Sequence, residues 1–243
     1  MNSAPKILKN GWLCFDNPSE LASYAVQTIV DTAKLAIQSR HAFHFVTAGG
    51  TTPLHIYKKL AEIEANAACT DMAWEAWHVY MGDERCLPAD DPELNRTALE
   101  EAWLNHSAIP LQNRHLMKGE LGAIQAAQDY ENCVKDTWFD ITLLGMGEDG
   151  HTASLFPGHS HAHEADRLVQ TEFSSPKPPA ERITLSAKCL GHSRQVIKIV
   201  TGSGKKEAVK AWLNGTDLPI AQIHGENTQV WISRESWPSE NDL

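Results

Sequence analysis

Two periods of hydrophobic spacing alternate along this chain. From Ser19 to Gln38, Leu21, Ala25, Ile29, Ala33 and Ala36 recur at helical intervals, with Ser19 as the expected N-cap. Ala42–Val46 is instead a short β-rich run that empties into Thr47-Ala48-Gly49-Gly50-Thr51-Thr52-Pro53. A helix is expected next, capped by Thr52 and opened by Pro53, because proline in the first helical position forfeits no hydrogen bond. Trp77–Met81 predicts a second strand entering Gly82-Asp83-Glu84-Arg85, and helices are expected over Pro92–Leu104 and Gly122–Lys135. Further strands are expected at Phe139–Leu144, Leu168–Thr171, Arg182–Leu185, Val196–Val200 and Gln229–Ile232, with a helix over Lys205–Leu213. Strands separated by helical segments imply an α/β fold with a mostly parallel sheet covered on both faces. The pattern resumes unchanged after the Pro-rich stretch Ser174–Ala180. That stretch therefore reads as a loop, and residues 1–243 as one domain.

Composition narrows the partners. The formal charge of −10 disfavours nucleic acid or an anionic membrane surface, although a few local Arg and Lys suffice for a small phosphorylated metabolite. Cys14, Cys69, Cys86, Cys133 and Cys189 are scattered, odd in number and without a C-x-x-C pair, which argues for reduced thiols and against a disulfide framework or a thiolate zinc site. No stretch approaches the roughly 18 apolar residues of a membrane span, and no apolar leader opens the chain. A cytoplasmic location is expected, and the N-x-S/T triplets at Asn95, Asn105 and Asn214 read as coincidences.

Candidate chemistry concentrates in Leu143–Gly158, LLGMGEDGHTASLFPG. An apolar strand stops in a glycine-rich turn carrying Asp149 and His151. Such a turn delivers polar side chains to the sheet edge where α/β proteins bind ligands. Histidine is the side chain best suited to exchange a proton near neutral pH. Gly145–Gly150 also matches G-x-G-x-x-G, but a dinucleotide site needs a helix running on from the third glycine. Phe156-Pro157-Gly158 interrupts any such helix, and Glu148 and Asp149 would repel a pyrophosphate, so no nucleotide cofactor is expected.

Three further loops leave strand ends. Gly49-Gly50-Thr51-Thr52-Pro53 reads equally as a backbone phosphate cradle or as an ordinary strand–helix turn. Gly82-Asp83-Glu84-Arg85 offers a guanidinium for anions and an acid for hydroxyls; alone, a solvated turn is the simpler reading. Gly202-Ser203-Gly204-Lys205 puts a lysine at a helix start without forming a Walker A loop. Arg182 taken alone reads as a surface charge paired with Glu181. The run His159, His161, His163 lacks an acidic or cysteine ligand at known spacing, so no metal is expected there.

Taken in order, these loops resemble the 6-phosphogluconolactonases. The matching segments are TAGGTTP at Thr47–Pro53, GDERCLPADDPELN at Gly82–Asn95, LGMGEDGHTASLFPG at Leu144–Gly158, ERITLSA at Glu181–Ala187 and GSGK at Gly202–Lys205. The resemblance implies a Rossmann-like three-layer α/β sandwich shared with glucosamine-6-phosphate deaminases, and a metal-independent hydrolase of 6-phospho-D-glucono-1,5-lactone. His151 is then the general base, with Asp149 either orienting it or shaping the turn. By family position Asp83, grouped with the catalytic residues, and Arg85, for the substrate or the developing oxyanion, fall near the sugar; Asn95 is expected to bind substrate, and Gly49, Gly50, Thr51 and Thr52 with Arg182 and Lys205 would hold the phosphate. Two departures stand out: Ala48 where the family often has Ser, and Leu94 where Ser is common before Asn95. The deaminases carry roughly GxDGHIAFNEPG, whose Glu serves their ring-opening relay. Phe156 fills that position here, and Arg85 stands where those enzymes tend to have Tyr, both favouring the lactonase. A non-catalytic sugar-phosphate sensor is the other alternative, but it would not need His151. The expected partner is the small lactone alone, bound by a monomer or weak homodimer.

Overall fold

The computed structural model describes residues 4–66, 72–159 and 166–238. In chain order the elements are β1 (Lys6–Ile7), β2 (Leu13–Phe15), α1 (Pro18–Arg40), β3 (Phe43–Thr47), α2 (Thr51–Ala65), β4 (Trp77–Met81), β5 (Asp83–Arg85), α3 (Asn95–Ala102) and β6 (Arg114–His115). They continue with α4 (Ala123–Val134), β7 (Phe139–Gly145), β8 (Val169–Glu172), β9 (Arg182–Leu185), α5 (Ala187–Gly191), β10 (Ser193–Val200), α6 (Lys206–Leu213), α7 (Pro219–Gln222) and β11 (Asn227–Ser233).

The main sheet runs β1-β2-β11-β10-β7-β3-β4-β6, and every pairing except β1–β2 is parallel. Phe139–Leu144 of β7 is buried at each position, as a central strand covered on both faces must be. From β3 the chain steps outward through β4 to β6, returns to β7 beside β3, then steps the other way through β10 to β11. The order therefore reverses between β3 and β7. Loops leaving these two strands diverge there and open a crevice, the usual ligand position in such sheets.

A second sheet, β5-β9-β8, is antiparallel and separate. The sequence reading placed Arg182–Leu185 and Leu168–Thr171 in line with the parallel strands. Alternation marks a strand but says nothing of its partner, and both belong to this small sheet. Gly82 makes the transition: its N–H donates to Thr47 O at 3.0 Å in the main sheet, and its carbonyl accepts from Leu185 N–H at 2.8 Å in the small one.

Helix starts needed correction. Asn17, not Ser19, caps α1, accepting from Glu20 N–H at 3.0 Å with Pro18 in the first turn. At α2 the cap position falls to Gly50, whose φ of 106° suits glycine, and the Thr52 hydroxyl instead meets the Thr201 hydroxyl at 2.6 Å. α3 begins at Asn95 rather than Pro92, and Leu94 in its cap position offers no side-chain acceptor. Glu84 supplies it, taking the N–H groups of Asn95 at 2.8 Å and Arg96 at 2.7 Å. Where a serine would cap locally, this chain reaches across from β5. A 3-10 turn, Ser203–Lys205, precedes α6 and leaves Lys205 in its cap position.

Trp77, Trp103 and Trp231 are fully buried, as packing residues should be, whereas Trp138 lies on the surface. Among the described residues no helix is long and apolar enough to cross a membrane.

Candidate active site

Elementary loop chemistry shapes the first wall. Gly49 and Gly50 follow β3, and a Cβ on Gly49 would lie 2.5 Å from Asn95 Oδ1, so only glycine lets α3 approach this closely. The Tyr57 hydroxyl fastens the same loop, accepting from Ala48 N–H and donating to Ala48 O, both at 2.8 Å. The first N–H groups of α2 have no partner within the helix, so the loop presents backbone donors at a positive helix end. The Ala48 departure leaves this backbone arrangement intact.

Opposite stand the residues of β5. Asp83 is buried and held at both oxygens, by Ser154 Oγ at 2.7 Å and by Asn95 Nδ2 at 3.2 Å. Glu84 is wholly buried, and desolvation pushes its carboxyl up to about 7 despite hydrogen bonds from the N–H groups of Arg96, Arg85 and Asn95. Arg85 donates to Glu93 O, while its Nε is buried without a partner among the described residues. These contacts replace the solvated turn that the four residues alone suggested.

The third wall is the turn after β7. Gly147 N–H donates to His151 O at 2.8 Å and the Thr152 hydroxyl donates to Gly145 O at 2.8 Å, closing a tight loop. Asp149 Oδ1 lies 2.5 Å from His151 Nδ1 and also accepts His151 N–H at 3.2 Å. The two side chains thus touch, which their spacing left open. A carboxylate can only accept, so Nδ1 carries the proton and Nε2 is left as the basic nitrogen. Burial lowers the His151 pKa; Asp149 opposes the shift, and the positive charge of Lys177 adds to it. Burial pushes Asp149 up, but the charge and hydrogen bonds of His151 outweigh it and leave the carboxyl below its ordinary value. The Phe156 ring packs 4.8 Å from the imidazole, centre to centre, so the neighbour on that side is apolar.

Cations close the cleft. Arg182 is buried, 5% exposed, and does not pair with Glu181, whose carboxylate instead accepts Ala123 N–H at 2.7 Å. Its guanidinium sits 5.7 Å from the Phe156 ring centre. Lys205 is half-buried, and burial lowers its pKa against the pull of Glu148.

Of the residues singled out in the sequence, Gly49, Gly50, Asp83, Arg85, Asn95, His151, Arg182 and Lys205 converge on one cleft of about 220 Å³ at the β3/β7 switch point. Asp149 stands behind His151. Thr51 and Thr52 line an adjoining hollow that shares Gly49, Gly50 and Lys205 with the cleft. Sequence reasoning missed two residues. Ser154, inside the matched segment, carried no hint of its bond to Asp83, and Lys177 lay in the Pro-rich loop. His159 pairs with Glu172 at 2.7 Å, whereas His161 and His163 lie outside the described residues.

Fold and cleft together define a doubly wound α/β protein whose cleft sets Arg182 and Lys205 beside a histidine–carboxylate pair. The chain belongs to the glucosamine-6-phosphate isomerase/6-phosphogluconolactonase family, whose model matches residues 16–231. It is 34% identical to 6-phosphogluconolactonase 3, chloroplastic, of Arabidopsis thaliana, over 84% of this chain and 69% of that one. It is 33% identical to the 6-phosphogluconolactonase of Mycobacterium tuberculosis, over 90% and 93% respectively. Among solved structures, a 6-phosphogluconolactonase from Thermotoga maritima superposes with a TM-score of 0.80 at 28% identity, covering 91% of this chain and 98% of that one. A monomeric glucosamine-6-phosphate deaminase shares the fold at 21% identity, with a TM-score of 0.77.

Proposed function

We propose that this chain hydrolyses 6-phospho-D-glucono-1,5-lactone to 6-phospho-D-gluconate, the lactone-opening step of the oxidative pentose phosphate pathway. The observation that carries the reading is the His151–Asp149 pair, 2.5 Å apart, set in a cationic cleft in a member of this family.

The phosphate rests where the two hollows meet, on the Gly49–Thr52 backbone with Lys205 and Arg182 supplying charge. Anchoring this remote group fixes the C1 carbonyl relative to His151 and turns binding energy into orientation. His151 Nε2 takes a proton from water as the water oxygen bonds to C1. Asp149 holds the ring and stabilises the imidazolium so formed, as an orienting carboxylate does in hydrolytic triads. When the C1–O5 bond breaks, the imidazolium returns the proton to O5, leaving the open-chain acid. Asp83, fixed by Ser154 and Asn95, accepts sugar hydroxyls, and the unpartnered Nε of Arg85 is a donor for a substrate oxygen.

The deaminase reading is disfavoured by Phe156, an apolar ring against His151 that can neither relay a proton nor polarise the imidazole. Two assays separate the activities. With lactone generated in situ from glucose 6-phosphate, the protein is expected to form 6-phosphogluconate well above the spontaneous rate. With glucosamine 6-phosphate it is expected to release no ammonia above background. Ammonia release would move the chain to the aminosugar branch, and phospholactone hydrolysis no faster than the spontaneous reaction would leave the sensor reading.

A further inference from the structure

Arg182 spends most of its donors on the protein itself. Its Nε donates to Pro179 O at 3.1 Å, and its Nη2 donates to Lys177 O at 2.8 Å and to Pro178 O at 3.3 Å. These three carbonyls belong to consecutive residues of the Pro-rich loop, so the buried guanidinium acts as a peg around which the loop is wound. Ser175 fixes the loop from within. Its hydroxyl donates to Lys177 O at 2.8 Å and accepts Lys177 N–H at 3.3 Å, while Ser175 N–H donates to Ala180 O at 3.1 Å. The backbone of Lys177 is therefore held on both sides.

Among the described residues the side chain of Lys177 has no partner. It lines the cleft with His151, Asp83 and Lys205, is solvent-exposed, and makes no ion pair or hydrogen bond with a described residue. Fixed at its root, this cation is unpaired at its tip among the described residues, although the chain carries a formal charge of −10. Its charge also reaches two functional groups, since it depresses the pKa of both His151 and Lys205.

We propose that Lys177 is a substrate-binding residue that closes on the phosphate monoester from the Pro-rich strap, and that Arg182 is chiefly the positioning residue that aims it. The inference rests on the phospholactone reading and refines it. Arg182, masked from solvent by its own loop, sets the strap, and Lys177 joins Lys205 in the lining of the cleft that takes the dianion. The Pro-rich composition has a physical use here, because proline's fixed φ reduces the freedom lost when the strap presents its lysine.

The test measures 6-phospho-D-gluconate binding by calorimetry and turnover on phosphorylated and unphosphorylated gluconolactone. Lys177→Gln is expected to weaken product binding and raise KM for the phosphorylated lactone roughly tenfold, less at high salt, with little change on the unphosphorylated one. Lys177→Arg is expected to restore most of the loss. His151 faces Asp149, Asp83 and Lys177, so removing the lysine charge raises its pKa and moves the acid limb of kcat to higher pH. In an Arg182→Gln background, Lys177→Gln should add less than twofold, because the strap is already loose. Product binding within twofold of wild type in Lys177→Gln overturns the assignment of Lys177, and fully additive losses overturn the role given to Arg182. Wild-type protein that binds 6-phosphogluconate through Lys177 but fails to hydrolyse the lactone would sink the proposed activity and leave this inference standing.

Discussion

His151→Ala is expected to lower kcat by about 10²–10⁴-fold while binding 6-phosphogluconate nearly as well as wild type. The separation follows from geometry. The imidazole reaches the cleft from the β7 turn, whereas the backbone donors and Lys205 proposed to take the phosphate come from the β3 loop and the start of α6. The variant should fold normally, because the ring lies at a polar cleft edge and its backbone bond to Gly147 does not depend on the side chain. Steady-state kinetics beside calorimetry on the product checks both halves. Near wild-type turnover in a folded variant would remove His151 from the chemistry, and a parallel collapse of product binding would show a structural role.

The pH profile sharpens the same assignment. A general base works while unprotonated, so activity holds above its pKa and is lost as pH falls through it. An unperturbed histidine would put that limb near pH 6.5. Burial moves His151 downward, so the limb should lie below that ordinary value. The second ionisation of the substrate phosphate, at about 6, overlaps this range. Residual activity of His151→Ala supplies the control: a limb that persists unchanged in the variant belongs to the phosphate.

What was legible in the sequence divides along physical lines. The parallel strands β3, β4, β7, β10 and β11 were visible because each holds a buried run of fixed period, and their loops could be placed on one edge because parallel connection forces it, whereas β2 and β6 are too short to show a period. Two strands of the small sheet, β8 and β9, were visible, but neither β5 nor their antiparallel pairing was. Asp83-Glu84-Arg85 carries no apolar signature, yet Arg85 pairs with Arg182, and Arg182 with Glu172, across three short strands. For the same reason Arg182 read as a surface charge, since its burial comes from loop carbonyls that composition cannot locate. Lys177 was hidden differently. Nothing about a lysine between prolines signals that a buried arginine fixes its backbone. Ser154 stood inside the most informative segment, but its partner Asp83 is 71 residues away in sequence.

The glycines of Gly145–Gly150 invite a second large effect, Gly147→Ala. They resemble a dinucleotide fingerprint, yet their reasons here are local. A Cβ on Gly147 would lie 2.0 Å from His151 Nδ1 and 2.7 Å from Asp149 Oδ1, the two atoms of the bond that orients the base. The backbone of Gly147 is not among the positive-φ positions, so the conflict is with the imidazole and the carboxylate rather than with a left-handed backbone. Something must shift, and the imidazole is the movable part. Displacing a catalytic group by about 1 Å can cost about 100-fold, so Gly147→Ala should lower kcat by roughly that factor with product affinity preserved. Gly150→Ala provides the contrast. Gly150 has φ +84 and packs against Leu218, where a Cβ would come within 2.7 Å, so its substitution strains the backbone and should appear mainly as lost thermal stability. Turnover by Gly147→Ala within threefold of wild type would mean that the Asp149–His151 contact is not the arrangement that works, and the base would have to act from another rotamer.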